Sequence, residues 1–146
     1  MPAADHCVVK LDSSDAFNSL HRDFMLNAVL EKVPGIYKFC HFSYCKPSEL
    51  VYSGHTILSH EGPQQGDPLG PLLFCGFIHP LLLSLASKLN LAYMDDVTLG
   101  GSESQVAQDV ETIRRKGKQF GVLLNDKKCK FIRRTAVVRH FETSFT

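Results

Sequence analysis

The sequence predicts an α+β fold, in which an antiparallel sheet is covered by helices. Short apolar runs bounded by turn residues indicate strands, and longer segments with apolar residues at helical spacing indicate helices. Their order is strand, two helices, hairpin, loop, helix, hairpin, helix and two strands, which differs from the regular alternation of a parallel α/β protein. At 146 residues, the chain is expected to form one compact core.

The first third of the chain places a carboxylate at the end of a strand. Val8–Asp12 is predicted to be this strand, and Ala16–Lys32 is predicted to be one continuous helix that stops at a Pro-Gly pair. A second helix is expected over Ile36–Cys45. Asp12 is therefore expected where a strand passes into a helical connection.

The middle third is predicted to contain a hairpin, a loop and a helix. Two strands within residues 50–58 flank a Ser53-Gly54 turn. Glu61–Pro71 is rich in glycine and proline and is therefore predicted to be a loop. The apolar run Leu72–Leu89 is predicted to be a buried helix that Pro80 kinks or restarts.

The last third begins with a second hairpin. Leu91–Met94 and Val97–Leu99 are strand-like and are separated by two residues, which places Asp95 and Asp96 at the tip.

A helix follows, and two strands complete the pattern. Ser102 and Gln105 form a capping box, and Gly121 ends the helix. The apolar face of this helix consists of Val106, Val110, Ile113, Gly117 and Phe120. The final strands are predicted at Val122–Leu124 and Cys129–Ile132.

Four segments carry the candidate chemistry. Taken alone, two adjacent aspartates in a hairpin are more often an exposed polar turn. Here they occur with an earlier strand that ends in aspartate and with a glycine-rich loop between the two. In chain order the segments are Lys10–Ser19, Gln64–Pro71, Ala92–Asp96 and Gly121–Cys129.

These four segments resemble the palm motifs of reverse transcriptases, most closely those of non-long-terminal-repeat retrotransposons. The strings Gln-Gly-Asp-Pro-Leu and Tyr-Met-Asp-Asp are the most specific, and the resemblance covers about Val8–Ile132. It implies a polymerase palm, a ferredoxin-like or RRM-like antiparallel sheet packed against helices. It also implies an RNA-directed DNA polymerase that adds dNTPs to the 3′-hydroxyl of a primer on an RNA or DNA template.

The resemblance assigns roles to individual residues. Asp12, Asp95 and Asp96 would hold two Mg²⁺ or Mn²⁺ ions, with Asp96 as the weaker ligand, and hard carboxylate oxygens suit both metals. Phe17 would crowd the sugar 2′-position and exclude ribonucleotides, although without the resemblance an ordinary core aromatic is the first interpretation.

Other segments would contact the substrate. Gln65, Gly66 and Tyr93 are expected to bind the template or the incoming nucleotide. Lys128 is expected near the nucleotide phosphates, as a proton donor or as a fixed positive charge, and Lys127 is an alternative. The simpler interpretation for both lysines is a solvated side chain in a turn.

Charge and cysteine content add weaker indications. Met1–Ile113 holds 6 basic and 13 acidic residues, whereas Arg114–Thr146 holds 10 basic and 2 acidic residues. This asymmetry suits a cation site beside a phosphate-binding surface, and it equally suits two solvated faces. The five cysteines lack a C-x-x-C pair and indicate reduced thiols in an intracellular protein. The longest apolar stretch, Pro71–Ala86, is too short to span a bilayer, so no membrane anchor is expected. The resemblance implies the nucleus or the cytoplasm.

A zinc site is the alternative metal hypothesis. Cys40, Cys45, His55 and His60 are spaced irregularly for a zinc finger, and the two cysteines fall in an apolar helical stretch. Buried thiols and unrelated histidines are therefore favoured.

Residues 1–146 are expected to form the palm portion of a reverse transcriptase domain, with fingers and thumb largely absent. Met1–Cys7 is too short for fingers, and Arg133–Thr146 shows no primer-grip pattern. Further polymerase segments in trans are one way to complete the enzyme. The alternative function is an inert or reused palm that binds nucleic acid or a protein partner. An RNA polymerase is disfavoured by Phe17.

Overall fold

In the computed structural model of the chain, residues 5–133 and 136–140 are described. The strands and helices follow the predicted order, except that two strands are added and the first predicted helix is divided into two. In chain order they are β1 (His6–Leu11), β2 (Ser13–Ser14), α1 (Ala16–Ser19), α2 (Arg22–Lys32), a 3-10 turn (Pro34–Ile36), α3 (Tyr37–Tyr44), β3 (Ser48–Tyr52), β4 (His55–Ser59), α4 (Gly70–Leu83), β5 (Leu89–Tyr93), β6 (Asp96–Ser102), α5 (Glu103–Gln119), β7 (Leu123–Leu124), β8 (Lys130–Arg133) and β9 (Ala136–His140).

The chain divides into two compact units. The first consists of the residues up to Asp15 together with those from Pro80 onward, and the second consists of Ala16–His79. None of the helices in the described part of the chain combines the length and the apolar character that a bilayer crossing requires.

The first unit is built on a five-stranded antiparallel sheet with the order β5-β6-β1-β8-β9. Side chains alternate along β1, so that Cys7, Val9 and Leu11 are buried while the residues between them are not. Helix α5 packs on this sheet through its apolar stripe of Val106, Val110 and Ile113. The predicted antiparallel sheet covered by a helix is therefore confirmed.

Asp109 lies within the apolar stripe of α5 and shapes the end of α4. Its buried carboxylate accepts hydrogen bonds from the backbone N–H groups of Ala86 and Ser87, at 3.1 and 2.7 Å, and from the Ser87 hydroxyl. Because these N–H groups donate to a side chain, they do not donate to the backbone carbonyls that would continue the helix. The predicted helix over Leu72–Leu89 was wrong at its C-terminal end, since α4 stops at Leu83.

Helix α4 continues through Pro80, whose ring leaves the Gly76 carbonyl oxygen without a helical partner. The ammonium group of Lys32 donates a hydrogen bond to the Gly76 carbonyl oxygen, four residues before Pro80. Pro80 lies inside one continuous helix, so the chain does not restart α4 at this residue.

The second unit contains α1, α2, α3 and the β3–β4 hairpin. The Ser53-Gly54 turn is confirmed, and both residues have positive φ. The predicted single helix over Ala16–Lys32 was wrong, because the chain leaves helical geometry at His21, where ψ is 124°. The Leu20 carbonyl accepts a hydrogen bond from Gly62 N–H at 2.7 Å, and this contact replaces a helical partner.

Two smaller differences concern helix α5 and the C-terminal stretch. Ser102 is the N-cap as predicted, but its side chain does not make the capping hydrogen bond. Strand β9 pairs with β8 and was not predicted. Of Arg133–Thr146, for which the sequence predicts no primer grip, residues 134–135 and 141–146 lie outside the described residues.

Candidate active site

The pairing of β1 with β6 places two of the predicted carboxylates at the same end of the sheet. The last residue pair in this antiparallel register is Leu11 with Val97. Asp12 follows Leu11, and Asp96 precedes Val97. The two aspartates therefore lie side by side just beyond the last pair, and both are half-buried.

Asp95 lies in the adjoining turn. Tyr93 pairs with Asp96, so the two-residue turn consists of Met94 and Asp95, with a positive φ of 54° at Met94. The prediction that Asp95 and Asp96 form the tip together was wrong by one residue, because Asp96 already belongs to β6. The Tyr93 side chain is 83% exposed.

The backbone of Asp12 is fixed by the segment that follows α5. Its N–H donates to the Cys129 Sγ at 3.4 Å, and its carbonyl oxygen accepts from the Asn125 N–H at 2.8 Å. The Cys129 thiol also points toward the Asp12 carbonyl, at 3.7 Å. Burial raises the pKa of Cys129, which keeps the thiol protonated as a donor. The fourth predicted motif therefore lies directly beside the first.

The turn after β7 carries the two candidate lysines. The Lys128 N–H donates to the Asn125 carbonyl at 2.9 Å, and the side chains of Lys127 and Lys128 are both exposed. Arg114 on α5 binds Asp126 in this turn through two hydrogen bonds, at 2.8 and 3.1 Å. The turn is thereby anchored next to Asp12, and its position does not discriminate between the two lysines.

A lysine on the same strand pair forms an ion pair with one of the three aspartates. Lys10 Nζ lies 3.3 Å from Asp96 Oδ1, and both side chains are about half exposed. Among residues 5–133 and 136–140, no group of three His, Cys, Asp or Glu side chains is close enough together to hold a metal ion. Neither the three aspartates nor the four residues of the zinc alternative therefore form a ready metal-binding group in the described part of the chain.

The other predicted substrate residues lie together in the second unit. The Phe17 ring packs against Phe74 with centroids 5.8 Å apart and is half-buried. The Gln65 side chain donates to Asn18 Oδ1 at 3.4 Å, and Gln65 and Gly66 are exposed. The loop over Glu61–Pro71 is thus packed against the segment that carries Phe17.

Close packing at Gly62 holds this arrangement. A Cβ atom at Gly62 would lie 2.2 Å from the carbonyl oxygen of Phe17, and Gly62 also has a positive φ of 66°. Only glycine fits this position without displacing the backbone of Phe17.

The sequence prediction missed a buried arginine in the second unit. Arg22 is 6% exposed and lies on the buried face of α2 together with Met25, Leu26 and Val29. The available signal was a charged residue at an apolar position of a helical stripe. Asp109 on α5 shows the same signal.

The sheet, its covering helix and the carboxylates at one sheet end define a polymerase-type palm, and comparison with known proteins identifies the family. A sequence profile of the reverse transcriptase (RNA-dependent DNA polymerase) family matches residues 2–141. The chain belongs to the reverse transcriptase family. No curated protein sequence shows a significant match.

Solved structures of telomerases share the fold. Apo telomerase from Candida tropicalis, truncated from its C-terminal domain, matches with a TM-score of 0.66 at 16% identity, over 90% of this chain and 31% of that chain. Telomerase from Candida tropicalis in complex with a TWJ fragment of telomeric RNA matches with 0.68 at 14% identity, over 97% and 30%. The corresponding complex from Candida albicans matches with 0.69 at 13% identity, over 90% and 28%. The chain spans about three-tenths of these telomerases.

The ion pair between Arg114 and Asp126 is expected to anchor the turn that carries Lys127 and Lys128 in a pH-dependent way. The hydrogen bonds from Arg114 hold the pKa of the Asp126 carboxyl below its usual range. The stabilisation is complete above the ordinary aspartate pKa of about 4 and is lost as the pH falls through the lowered pKa. Because both side chains are partly exposed, it amounts to less than about 1 kcal/mol.

We expect Arg114→Ala to raise the pKa of Asp126 toward its ordinary value, measured by NMR titration of the carboxyl carbon. Arg115→Ala, at the exposed neighbouring position, should leave the titration of Asp126 unchanged. Equal titration curves for Asp126 in wild type and Arg114→Ala would show that the pair does not form in solution.

Proposed function

We propose that this chain carries the active site of an RNA-directed DNA polymerase, which adds dNTPs to the 3′-hydroxyl of a primer. The observation that carries the proposal is the position of Asp12, Asp95 and Asp96. Paired strands β1 and β6 and the β5–β6 turn bring them to one end of the sheet, in a chain of the reverse transcriptase family.

The donor chemistry of these residues fits a pair of Mg²⁺ or Mn²⁺ ions, since three carboxylates come from two separate segments. When bound, such a pair activates the primer hydroxyl and neutralises the triphosphate charge. Asp12 and Asp95 would hold both ions, and Asp96 would be the supporting ligand. Metal binding then requires the carboxylates to turn toward one another, because they are not grouped as ligands in this arrangement.

The ion pair between Lys10 and Asp96 supports the lesser role of Asp96. An ammonium group 3.3 Å from the Asp96 carboxylate competes with a metal ion for the same oxygen. In the proposed site, Asp96 must release Lys10 before it can contact a cation. Asp12 is better prepared for binding, because Cys129 and Asn125 hold its backbone.

Other residues act on the nucleotide in this proposal. Lys128, or Lys127 in its place, supplies positive charge or a proton to the leaving pyrophosphate, and the anchored turn supports this role. Phe17 excludes the ribonucleotide 2′-hydroxyl. Gln65, Gly66 and Tyr93 contact the template or the incoming nucleotide, as their exposure permits.

The partners are a primer annealed to an RNA or DNA template, together with dNTPs, in the nucleus or the cytoplasm. The proposed partners also include further polymerase segments supplied in trans. The alternative is a palm that folds and binds nucleic acid or a protein but does not polymerise.

Primer extension tests the proposal directly. We expect the purified chain to extend a DNA primer on an RNA template with dNTPs and Mg²⁺ or Mn²⁺. Asp12→Asn or Asp95→Asn should lower the rate more than about a hundredfold, because changes in the shell around metal ligands alone cost ten- to a hundredfold. The melting temperature should stay equal or rise, since each change removes one charge from an acidic cluster.

Asp23→Asn, at an exposed position of α2, is the matched control and should extend the primer like wild type. If a folded wild-type chain gives no extension even with added fingers and thumb segments, the non-polymerising alternative is correct. Equal extension by Asp95→Asn and wild type would exclude the proposed site.

Phe17 provides a test of sugar selectivity. We expect Phe17→Val to lower the preference for dNTPs over ribonucleotides by at least about tenfold, because loss of the ring opens space at the 2′-position. The readout is the ratio of kcat/KM for dCTP and CTP. Phe42→Val makes the same change at an 86% exposed position of α3 and should not alter the ratio. An unaltered ratio in Phe17→Val would leave Phe17 as a core aromatic alone.

A further inference from the structure

The predicted substrate loop presents two residues on a tight turn. The Gln64 carbonyl oxygen accepts a hydrogen bond from the Asp67 N–H at 3.1 Å, which closes a four-residue turn. Gly66 has a positive φ of 88°, as the third position of a type II turn requires. Gln65 and Gly66 form the exposed tip of this turn. Their position therefore depends on how Gln64 and Asp67 are held.

One tyrosine hydroxyl contacts both residues that close the turn. The Tyr44 hydroxyl donates a hydrogen bond to Asp67 Oδ2 and accepts one from the Gln64 N–H at 3.2 Å. The second Asp67 oxygen accepts the Leu69 N–H at 2.8 Å. The Gln64 side chain donates to the Ser48 hydroxyl at 2.5 Å. Both ends of the turn are thus tied to the same interior group.

The Tyr44 ring is in turn held by the buried side chain of Arg22. The Arg22 guanidinium carbon lies 5.2 Å from the centroid of the Tyr44 ring, a cation–π distance, and Tyr44 is 3% exposed. Arg22 donates to the carbonyl oxygens of Gly62 and Lys46, at 3.0 and 3.2 Å, and to the Ser59 hydroxyl at 3.1 Å. The orientation of the tyrosine hydroxyl is therefore set by a satisfied polar network.

We infer that Tyr44 is a positioning residue for substrate binding, whose hydroxyl fixes the Gln64–Asp67 turn so that Gln65 and Gly66 meet the template base or incoming nucleotide. The inference rests on the proposed function for the identity of the substrate. The hydrogen bonds that join the Tyr44 hydroxyl to Gln64 and Asp67, called the clamp below, rest on the geometry of the second unit alone. Neither Tyr44 nor Arg22 touches the substrate in this assignment. Their effect reaches the nucleotide only through the loop.

The protonation state of the hydroxyl supports this role. Burial, followed by the hydrogen bond to Asp67, raises the pKa of Tyr44 to about 12. The hydroxyl therefore keeps its proton at neutral and mildly alkaline pH and remains able to donate to the carboxylate.

Tyr44→Phe tests the clamp, because it removes the hydroxyl and keeps the ring above Arg22. We expect the Gln64 amide proton to exchange with solvent about tenfold faster, measured by NMR, since the amide loses its acceptor. Amides of α2 and of the β3–β4 hairpin should keep their wild-type rates. Tyr37→Phe is the matched control on the same helix, where the ring packs against His41, and it should change neither set of rates.

The kinetic readout separates positioning from general stability. In primer extension, Tyr44→Phe should raise the KM for dNTP about five- to tenfold with a smaller change in kcat, because the loop binds the substrate and does not perform the chemistry. If Tyr44→Phe fails to fold, Asp67→Ala removes the carboxylate partner of the Tyr44 hydroxyl instead. We then expect faster exchange at the Leu69 amide, which loses its acceptor, together with the same rise in KM. That variant leaves the contact between Arg22 and Tyr44 in place.

The two measurements can fail separately. Unchanged exchange at Gln64 in a folded Tyr44→Phe variant overturns the clamp, whatever the polymerase activity. Faster exchange throughout the unit also overturns it, because the hydroxyl would then serve stability alone. Faster local exchange with no extension by the wild-type chain retains the clamp and rejects the proposed polymerase. Faster local exchange with an unchanged KM would show that the loop does not contact the nucleotide.

Discussion

The antiparallel register between β1 and β6 is the constraint on which the candidate active site depends. It pairs Leu11 with Val97 and thereby brings Asp12 and Asp96 to one end of the sheet. A shift of one residue would move every side chain of β1 to the opposite face, because side chains alternate along a strand. The apolar stripe of α5 would then face His6, Val8 and Lys10 in place of Cys7, Val9 and Leu11. Burial of the sheet under α5 and alignment of the carboxylates are therefore consequences of one register.

Around this sheet and in the second unit, loops are fixed by buried charged side chains that bind backbone groups. Asp109 binds the N–H groups of Ala86 and Ser87 in the segment that leads to β5. Arg22 binds two carbonyl oxygens beside the Gln64–Asp67 turn. A buried charge is costly unless its hydrogen bonds are satisfied, so each side chain specifies one loop conformation. Gln65 and Gly66 lie on a loop, whereas the side chains that support this loop, Tyr44 and Arg22, are buried in the core.

Local signals predicted most of the fold, whereas tertiary contacts decided the differences. The strand β1 and the apolar stripe of α5 depend on neighbouring residues and were predicted correctly. The break at His21 depends on Gly62, and the end of α4 depends on Asp109, both distant in sequence. For the site, sequence motifs could name Asp12 and Asp96. The contacts of these residues with Cys129 and Lys10 follow from strand register, which the sequence alone did not provide.

The central claim is that three aspartates at the end of β1 and β6 form a divalent cation site. Titration of Mn²⁺ into the ¹⁵N-labelled chain, followed by amide NMR, tests it without requiring polymerase activity. Paramagnetic broadening should first affect Leu11–Ser13 and Met94–Val97, and Asp95→Asn should shift this effect to higher Mn²⁺ concentration. Broadening that begins around another acidic group such as Glu61 and Asp67, or that is insensitive to Asp95→Asn, would contradict the account.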